Sequence, residues 1–273
     1  MTGISATIIT FNEAHNIADC IRSVCDWCDE VIILDSFSTD QTKEIAATFP
    51  KVQFHTHAFD GHIQQKNRAI GLAKGPWIFA LDADERVSPE LSQEILRFIQ
   101  SNPDQAGARV KRLTWHLGRF IRHGGWYNAR YRLFKKNSAR WAGENPHDFI
   151  LLEGKSRPTS GPVLKGDLIH YSFRDLSHQV DTINKFSSIV AFARFQKKKS
   201  ASILNMLVKP FGKFIECYFF KSGWLDGFAG FVIAVSSAYS TFLKFAKLYE
   251  LQELKLHRPS NLGKDYADAS NPL

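Results

Sequence analysis

Short runs of apolar and β-branched residues recur at Ser5–Thr10, Glu30–Leu34, Val52–His57 and Trp77–Leu81. Between them, Ala14–Val24, Gln41–Phe49 and Ile63–Ala73 carry apolar residues at helical spacing. Continuous apolar strands alternating with helices predict a parallel sheet covered on both faces. Pro89–Ser101 extends the helical pattern, with Ser88 as its cap. Gly107–Ser172 reads as strands and long loops rich in Trp, Arg, Gly and His, and Ser177–Phe195 as a helix again. A basic, aromatic and helical stretch then runs to about Glu253, followed by a polar end. The pattern predicts an α/β domain over residues 1–180, a basic amphipathic helical region over 181–255 and a loose polar tail over 256–273.

In parallel sheets of this kind, ligands bind beyond the carboxyl ends of the strands. Here each strand runs directly into polar residues: Thr10-Phe11-Asn12-Glu13, Asp35-Ser36, His55-Thr56-His57 and Asp82-Ala83-Asp84-Glu85. These ends are expected to meet at one rim. Asp82 and Asp84, where the chain leaves a strand, can offer oxygens to a hard cation such as Mg²⁺ or Mn²⁺, which commonly bridges protein to substrate phosphates. A solvated acidic turn opening the next helix would carry the same residues. Asp35 can accept a hydrogen bond from a base or ribose, whereas Ser38, Thr39 and Asp40 suit a helix cap.

Composition sharpens this picture in two places. The chain of 273 residues carries a net charge of +8. All of that excess lies between Lys185 and Lys247, where ten Lys or Arg face only Glu216 and Asp226. Basic charge confined to one aromatic-rich segment points to an anionic membrane surface. No nucleic-acid module accompanies it, so nucleic acid is not expected as a partner. Phe211, Phe214, Ile215, Tyr218 and Phe219 fall on one helical face. The uncharged run Gly227–Leu243 would cover about 25 Å as a helix, short of the roughly 30 Å hydrocarbon core. Helices lying in the interface are therefore expected, with Lys197–Lys199 near headgroups. The first thirty residues lack a basic start and a long apolar segment, which predicts a cytoplasmic protein, peripheral on the inner face of the inner membrane. Four cysteines fit free thiols in a reducing compartment.

Four segments, Thr10-Phe11-Asn12-Glu13, Leu34-Asp35-Ser36-Phe37-Ser38-Thr39-Asp40, Lys66-Asn67-Arg68-Ala69 and Leu81-Asp82-Ala83-Asp84-Glu85, together resemble the family 2 glycosyltransferases of GT-A fold over residues 4–175. The resemblance implies a nucleotide-sugar donor, with Thr10, Glu13 and Asp35 on the nucleotide. Asp82 and Asp84 would hold the cation and donor, and Lys66 and Arg68 would lie near its phosphates or sugar. At Ser36-Phe37 the chain departs from the second Asp and the Gly that many members carry. Downstream, Trp141-Ala142-Gly143-Glu144-Asn145-Pro146-His147-Asp148 looks like the family's acceptor-side loop. Inverting transfer needs a carboxylate to deprotonate the acceptor hydroxyl; Asp148 is the first candidate, Glu144 the second, with His147 beside the acceptor. His170 can return to the metal or serve as a core histidine. The aromatic and basic run Trp115–Arg132, including Trp126 and Arg130, can form an acceptor wall in which rings stack on sugars and Arg grips phosphates.

A short catalytic domain followed by a basic helical tail looks most like the WaaE/KdtX-type transferases of lipopolysaccharide core assembly. That likeness implies transfer of glucose from UDP-glucose to a lipid-linked inner-core saccharide. Transfer to a polyprenyl phosphate and a non-catalytic nucleotide-sugar-binding protein are the competing expectations.

Overall fold

The computed structural model describes residues 3–101, 103–144, 147–154 and 160–254. The expected tail 256–273 lies outside the described residues. The described residues divide into two compact units, one within 3–113 and 128–171, the other of 114–127 and 172–254.

The first unit opens with strand β1 (Ile4–Thr10), helix α1 (Ile17–Cys25), β2 (Glu30–Asp35), α2 (Thr42–Ala46), β3 (Val52–Thr56), α3 (His62–Leu72) and β4 (Trp77–Asp82). The four strands pair in parallel in the order β3-β2-β1-β4. β2 is buried at all six positions, as a strand covered on both faces must be. Each expected strand and helix is present, with ends shifted by a few residues. The chain runs outward from β1 to β2 and β3, then returns to the other side of β1 as β4. This reversal opens a crevice above the carboxyl ends of β1 and β4, where Ile9 and Asp82 stand in register.

Beyond it come β5 (Glu85–Val87), α4 (Pro89–Gln100), β6 (Gly107–His116), β8 (Asn128–Lys135), the hairpin β9 (Ala139–Glu144) with β10 (His147–Leu152), and β11 (Val163–His170); β7 (Arg119–Ile121) lies between β6 and β8 in the chain. β8 joins β4 antiparallel, and the sheet continues through β6 and β11 to β5. Ser88 caps α4 by accepting a hydrogen bond from the Leu91 N–H. One apolar layer gathers Ile8, Ile17, Ile21, Phe79, Leu91 and Ile95. The other holds Ile32, Ile70, Ile78, Phe134 and Trp141.

The second unit contains α5 (Leu176–Gln196), α6 (Ile203–Ile215) and α7 (Gly227–Leu254), with a π-helical turn at Glu216–Phe220. α7 packs against both α5 and α6. Gly230 lets it begin tightly, because a Cβ there would lie 1.8 Å from the Gly223 carbonyl oxygen. Buried Asp226 accepts the backbone N–H groups of Arg122 and His123 and pairs with the His123 ring.

Two expectations change here. Phe214 and Tyr218 are half-buried, their rings 6.1 and 5.9 Å from that of Phe231 on α7. The fully exposed part of the stripe is its N-terminal continuation, Leu204, Leu207, Val208 and Phe211, on the same helical face. The π turn inserts a residue into the repeat and brings Phe219 and Phe220 both outward. Second, α7 continues for 28 residues to Leu254, about 42 Å. Gly223–Glu253 is long and apolar enough to cross a membrane by length and composition, and 28% of its most apolar stretch is buried.

Candidate active site

The rim is assembled by backbone geometry before any charged group is considered. Thr10 and Asp35 are register partners at the ends of β1 and β2. The following segments are stitched together by side chains. The Asn12 N–H donates to Ser38 Oγ, and Asn12 Oδ1 accepts from the Thr39 N–H. The Glu13 N–H donates to Thr42 Oγ1, and the Ala14 N–H to Asp40. Ser38 and Thr39 thus hold two loops to one another instead of capping α2, and of the three expected caps only Asp40 accepts an N–H at the start of that helix, from Thr42. Asp35 is buried, and its carboxylate accepts from both the backbone and the hydroxyl of Ser38. Thr10 Oγ1 is buried without a hydrogen-bond partner at the same edge, an orphan that a ligand atom would satisfy.

The charged centre lies above β4. Lys66, on α3, bridges two carboxylates, at 2.9 Å from Asp82 and 2.8 Å from Asp148, with its ammonium 4.3 Å from the Trp141 ring centre. Asp148 reaches this point on β10 because the β9–β10 hairpin pairs it with Gly143. Arg132 comes from β8 and bonds Asp82 at 2.9 Å and Glu85 at 2.7 Å. Glu85, 0% exposed, also accepts the Asp82 N–H and lies 3.7 Å from Arg112. Arg132 Nη1 and Trp141 Nε1 are buried and unpartnered, so the cluster keeps two unused donors.

These contacts set the protonation states. Burial pushes the Asp82 carboxyl up, but the charges of Lys66 and Arg132 outweigh it and hold the group well below the usual carboxylate range. Burial pushes Lys66 down, and Asp82 and Asp148 more than restore it above its ordinary value. Asp84 is likewise raised by burial and brought net below its ordinary value, chiefly by His170, whose Nε2 lies 3.2 Å from Asp84 Oδ2. Glu13 rises, mainly through burial; it hydrogen-bonds Asn16.

One carboxylate oxygen and one imidazole nitrogen 3.2 Å apart fit adjacent positions around a six-coordinate cation, whose neighbouring ligands sit roughly 3 Å apart for 2.1 Å bonds. Among the described residues no cluster of three or more His, Cys, Asp or Glu could hold a metal. The Asp84–His170 pair would therefore need ligands from a substrate. Asp82 is already engaged by Lys66 and Arg132.

Not every expected residue joins this centre. Arg68 turns away, pairing with Asp60 and with Gln65 Oε1. Arg130 donates to Asn128 at the edge of the cluster, on the same face of β8 as Arg132, and stands close enough to Asp148, Glu85, Arg112 and Arg132 for their charges to act on it. Trp126 belongs to the second unit, where it packs near His116 and Phe173 and against the Ile121–Ala229–Ile233 cluster. The Glu144 and His147 side chains lie outside the described residues. Glu85 and Trp141 were given no role of their own by the sequence, and Arg132 was expected in the acceptor wall, whereas here it holds Asp82 and Glu85. The available signal for Glu85 was an acid directly after Asp82-Ala83-Asp84.

The Glycosyl transferase family 2 model matches residues 5–152, more than half of the chain, and the chain belongs to that family. It is similar to the lipopolysaccharide core biosynthesis glycosyltransferase LpsC of Rhizobium meliloti, at 28% identity over 92% of this chain and 94% of that one. It is also similar to the uncharacterized glycosyltransferase RP128 of Rickettsia prowazekii, at 32% identity over 92% and 88%. Among solved structures, Staphylococcus aureus TarS 1–349 aligns over 95% of this chain and 94% of that one, with 12% identity and a TM-score of 0.45. The protein is a glycosyltransferase with a mixed α/β fold.

Proposed function

We propose that this enzyme transfers a hexose, with glucose the leading candidate, from a UDP-sugar to a lipid-linked saccharide such as the lipopolysaccharide inner core, with inversion at the anomeric carbon. The observation that carries this reading is the convergence of Asp82, Asp84, Asp148, Lys66 and His170 above the β1–β4 crevice. Thr10 and Asp35 at the adjoining strand ends suit the nucleoside. Asp84 and His170 would hold Mg²⁺ or Mn²⁺, which when bound offsets the charge of the leaving diphosphate. Lys66 and Arg132 orient Asp82 toward the donor and present positive charge beside it. Asp148 accepts the proton of the acceptor hydroxyl, and the Lys66 contact fixes where its carboxylate stands.

The similarity to a lipopolysaccharide core enzyme supports a lipid-linked acceptor. The exposed apolar row of α6, together with exposed Phe219, Phe220, Trp224 and Phe228, supports contact with a membrane. Lys197–Lys199 and Lys209 are exposed on the same unit and suit anionic headgroups at the cytoplasmic face.

Calorimetry with UDP-, GDP-, ADP- and dTDP-sugars, each with and without Mn²⁺, tests the donor half of this reading. Metal-dependent binding of a UDP-sugar, lost in Asp84→Ala, is expected. Absence of metal-dependent binding to every donor would refute it.

A further inference from the structure

Phe37 is an aromatic residue in a backbone conformation that suits glycine. Its φ is +62°, in the left-handed region where a Cβ crowds the backbone and bulky residues are rarely found. Its ring is 59% exposed, so burial of apolar surface does not compensate for the strain. The conformation is forced from both sides. Before it, Ser36 is buried, its N–H donates to the Thr10 carbonyl, and its hydroxyl accepts from Gln65. After it, the Ser38 backbone N–H and hydroxyl both bond Asp35, and the Ser38 hydroxyl also accepts the Asn12 N–H. A residue so tightly bracketed cannot relax into an ordinary conformation, and such over-determined strain concentrates at ligand clamps.

The position matters as much as the strain. Phe37 lies two residues beyond Asp35, at the strand-end rim that also carries Thr10 and its unpartnered hydroxyl. A flat apolar ring held in water at that edge can cover the face of another flat ring, which glycine could not do.

We propose that Phe37 stacks on the nucleobase of the donor and supplies affinity for the nucleoside by ring contact. This rests on the reading of the β1–β2 rim as the nucleotide site. Stacking needs only a π-face, so Phe37 contributes affinity and leaves discrimination between bases to hydrogen-bonding groups.

The test compares wild type with Phe37→Gly and Phe37→Trp by thermal melting and by calorimetry with UDP and with inorganic pyrophosphate, all in Mn²⁺. Glycine relieves the strained backbone, so Phe37→Gly is expected to melt at or above the wild-type temperature while binding UDP about 5- to 150-fold more weakly. Pyrophosphate, which has no ring, should bind both proteins alike, and Phe37→Trp should bind UDP within a few-fold of wild type. A Phe37→Gly protein that binds UDP as tightly as wild type overturns the stacking role and leaves the donor site intact. A tryptophan variant as weak as the glycine variant also overturns it. Wild type that binds no UDP removes the nucleotide-site reading and this inference with it.

Discussion

Replacing Lys66 by methionine keeps the length of the side chain on Trp141 and removes its charge. The structure sets the scale of the loss. Lys66 is 11% exposed and forms two short ion pairs, at 2.8 Å to Asp148 and 2.9 Å to Asp82. Among the described residues Asp148 then has no ion-pair partner, while Asp82 retains Arg132. Removing one member of a buried pair costs about 3–5 kcal/mol, because a charge is left uncompensated. The lower end applies here, since Asp82 keeps one partner and both carboxylates retain some contact with water. About 3 kcal/mol in a unit of this size lowers Tm by roughly 6–12 °C. The dependence on pH has a definite sign. Asp82 is held below its ordinary value, so its contribution is present above the unfolded carboxyl value of about 3.9 and disappears as pH falls through the lower folded value. The gap between wild type and Lys66→Met, read by scanning fluorimetry with a chelator present, should be widest near neutrality and narrow below about pH 4. Adding Asp148→Asn to the variant should recover part of the loss, since the uncompensated charge is gone. Melting within about 1 °C of wild type at pH 7 would refute the argument.

Two further outcomes follow from the same structure. Glu85→Gln keeps the shape of a fully buried side chain but deprives Arg132 of one of its two carboxylates, so Tm should fall by a similar amount and kcat should drop as Asp82 loses its support; an unchanged kcat would show that Asp82 is held without it. On the membrane side, Leu207→Glu with Phe211→Glu places charge on the exposed row of α6 and should reduce cosedimentation with anionic vesicles at least tenfold, while Tm stays within about 2 °C because neither residue is buried. Vesicle binding that survives both changes would remove this face as the membrane contact.

The parallel half of the sheet was legible because its signal is local. Strands buried on both faces must be apolar throughout, and β1, β2 and β4 read that way. The residues after each strand announced the rim for the same reason. The antiparallel half was not legible in detail, since which strand neighbours β4 depends on pairing across some fifty residues, and only β8 supplies Arg132 to Asp82. Arg68 was misplaced by a similar limit. One residue pattern on α3 offers both Lys66 and Arg68, but the helix turns them in different directions, one to Asp82 and the other to Asp60. On α6 the apolar stripe read from the sequence is the outward one, but Phe214 and Tyr218 on it are half-buried against Phe231 of α7, a tertiary contact that helical spacing does not encode.

The charges of the site also explain why the donor screen must vary metal and nucleotide together. Four carboxylates, Asp82, Asp84, Glu85 and Asp148, meet four cations, Lys66, Arg112, Arg130 and Arg132, so the cluster is balanced when His170 is neutral. A dication alone would find Asp82 already committed to Lys66 and Arg132 and only the Asp84–His170 pair to hold it, fewer ligands than a hard cation takes. A diphosphate alone would bring negative charge to a cluster whose cations are already matched by carboxylates. Arriving together, the two neutralise one another and leave the existing ion pairs in balance, while the diphosphate oxygens complete the coordination that Asp84 and His170 begin. On the proposed reading, then, the heat of Mn²⁺ binding without nucleotide and of UDP-sugar without Mn²⁺ should each be small, and the combined signal should exceed their sum. Strong binding of either alone would mean that the cluster is balanced differently from the way its ion pairs indicate.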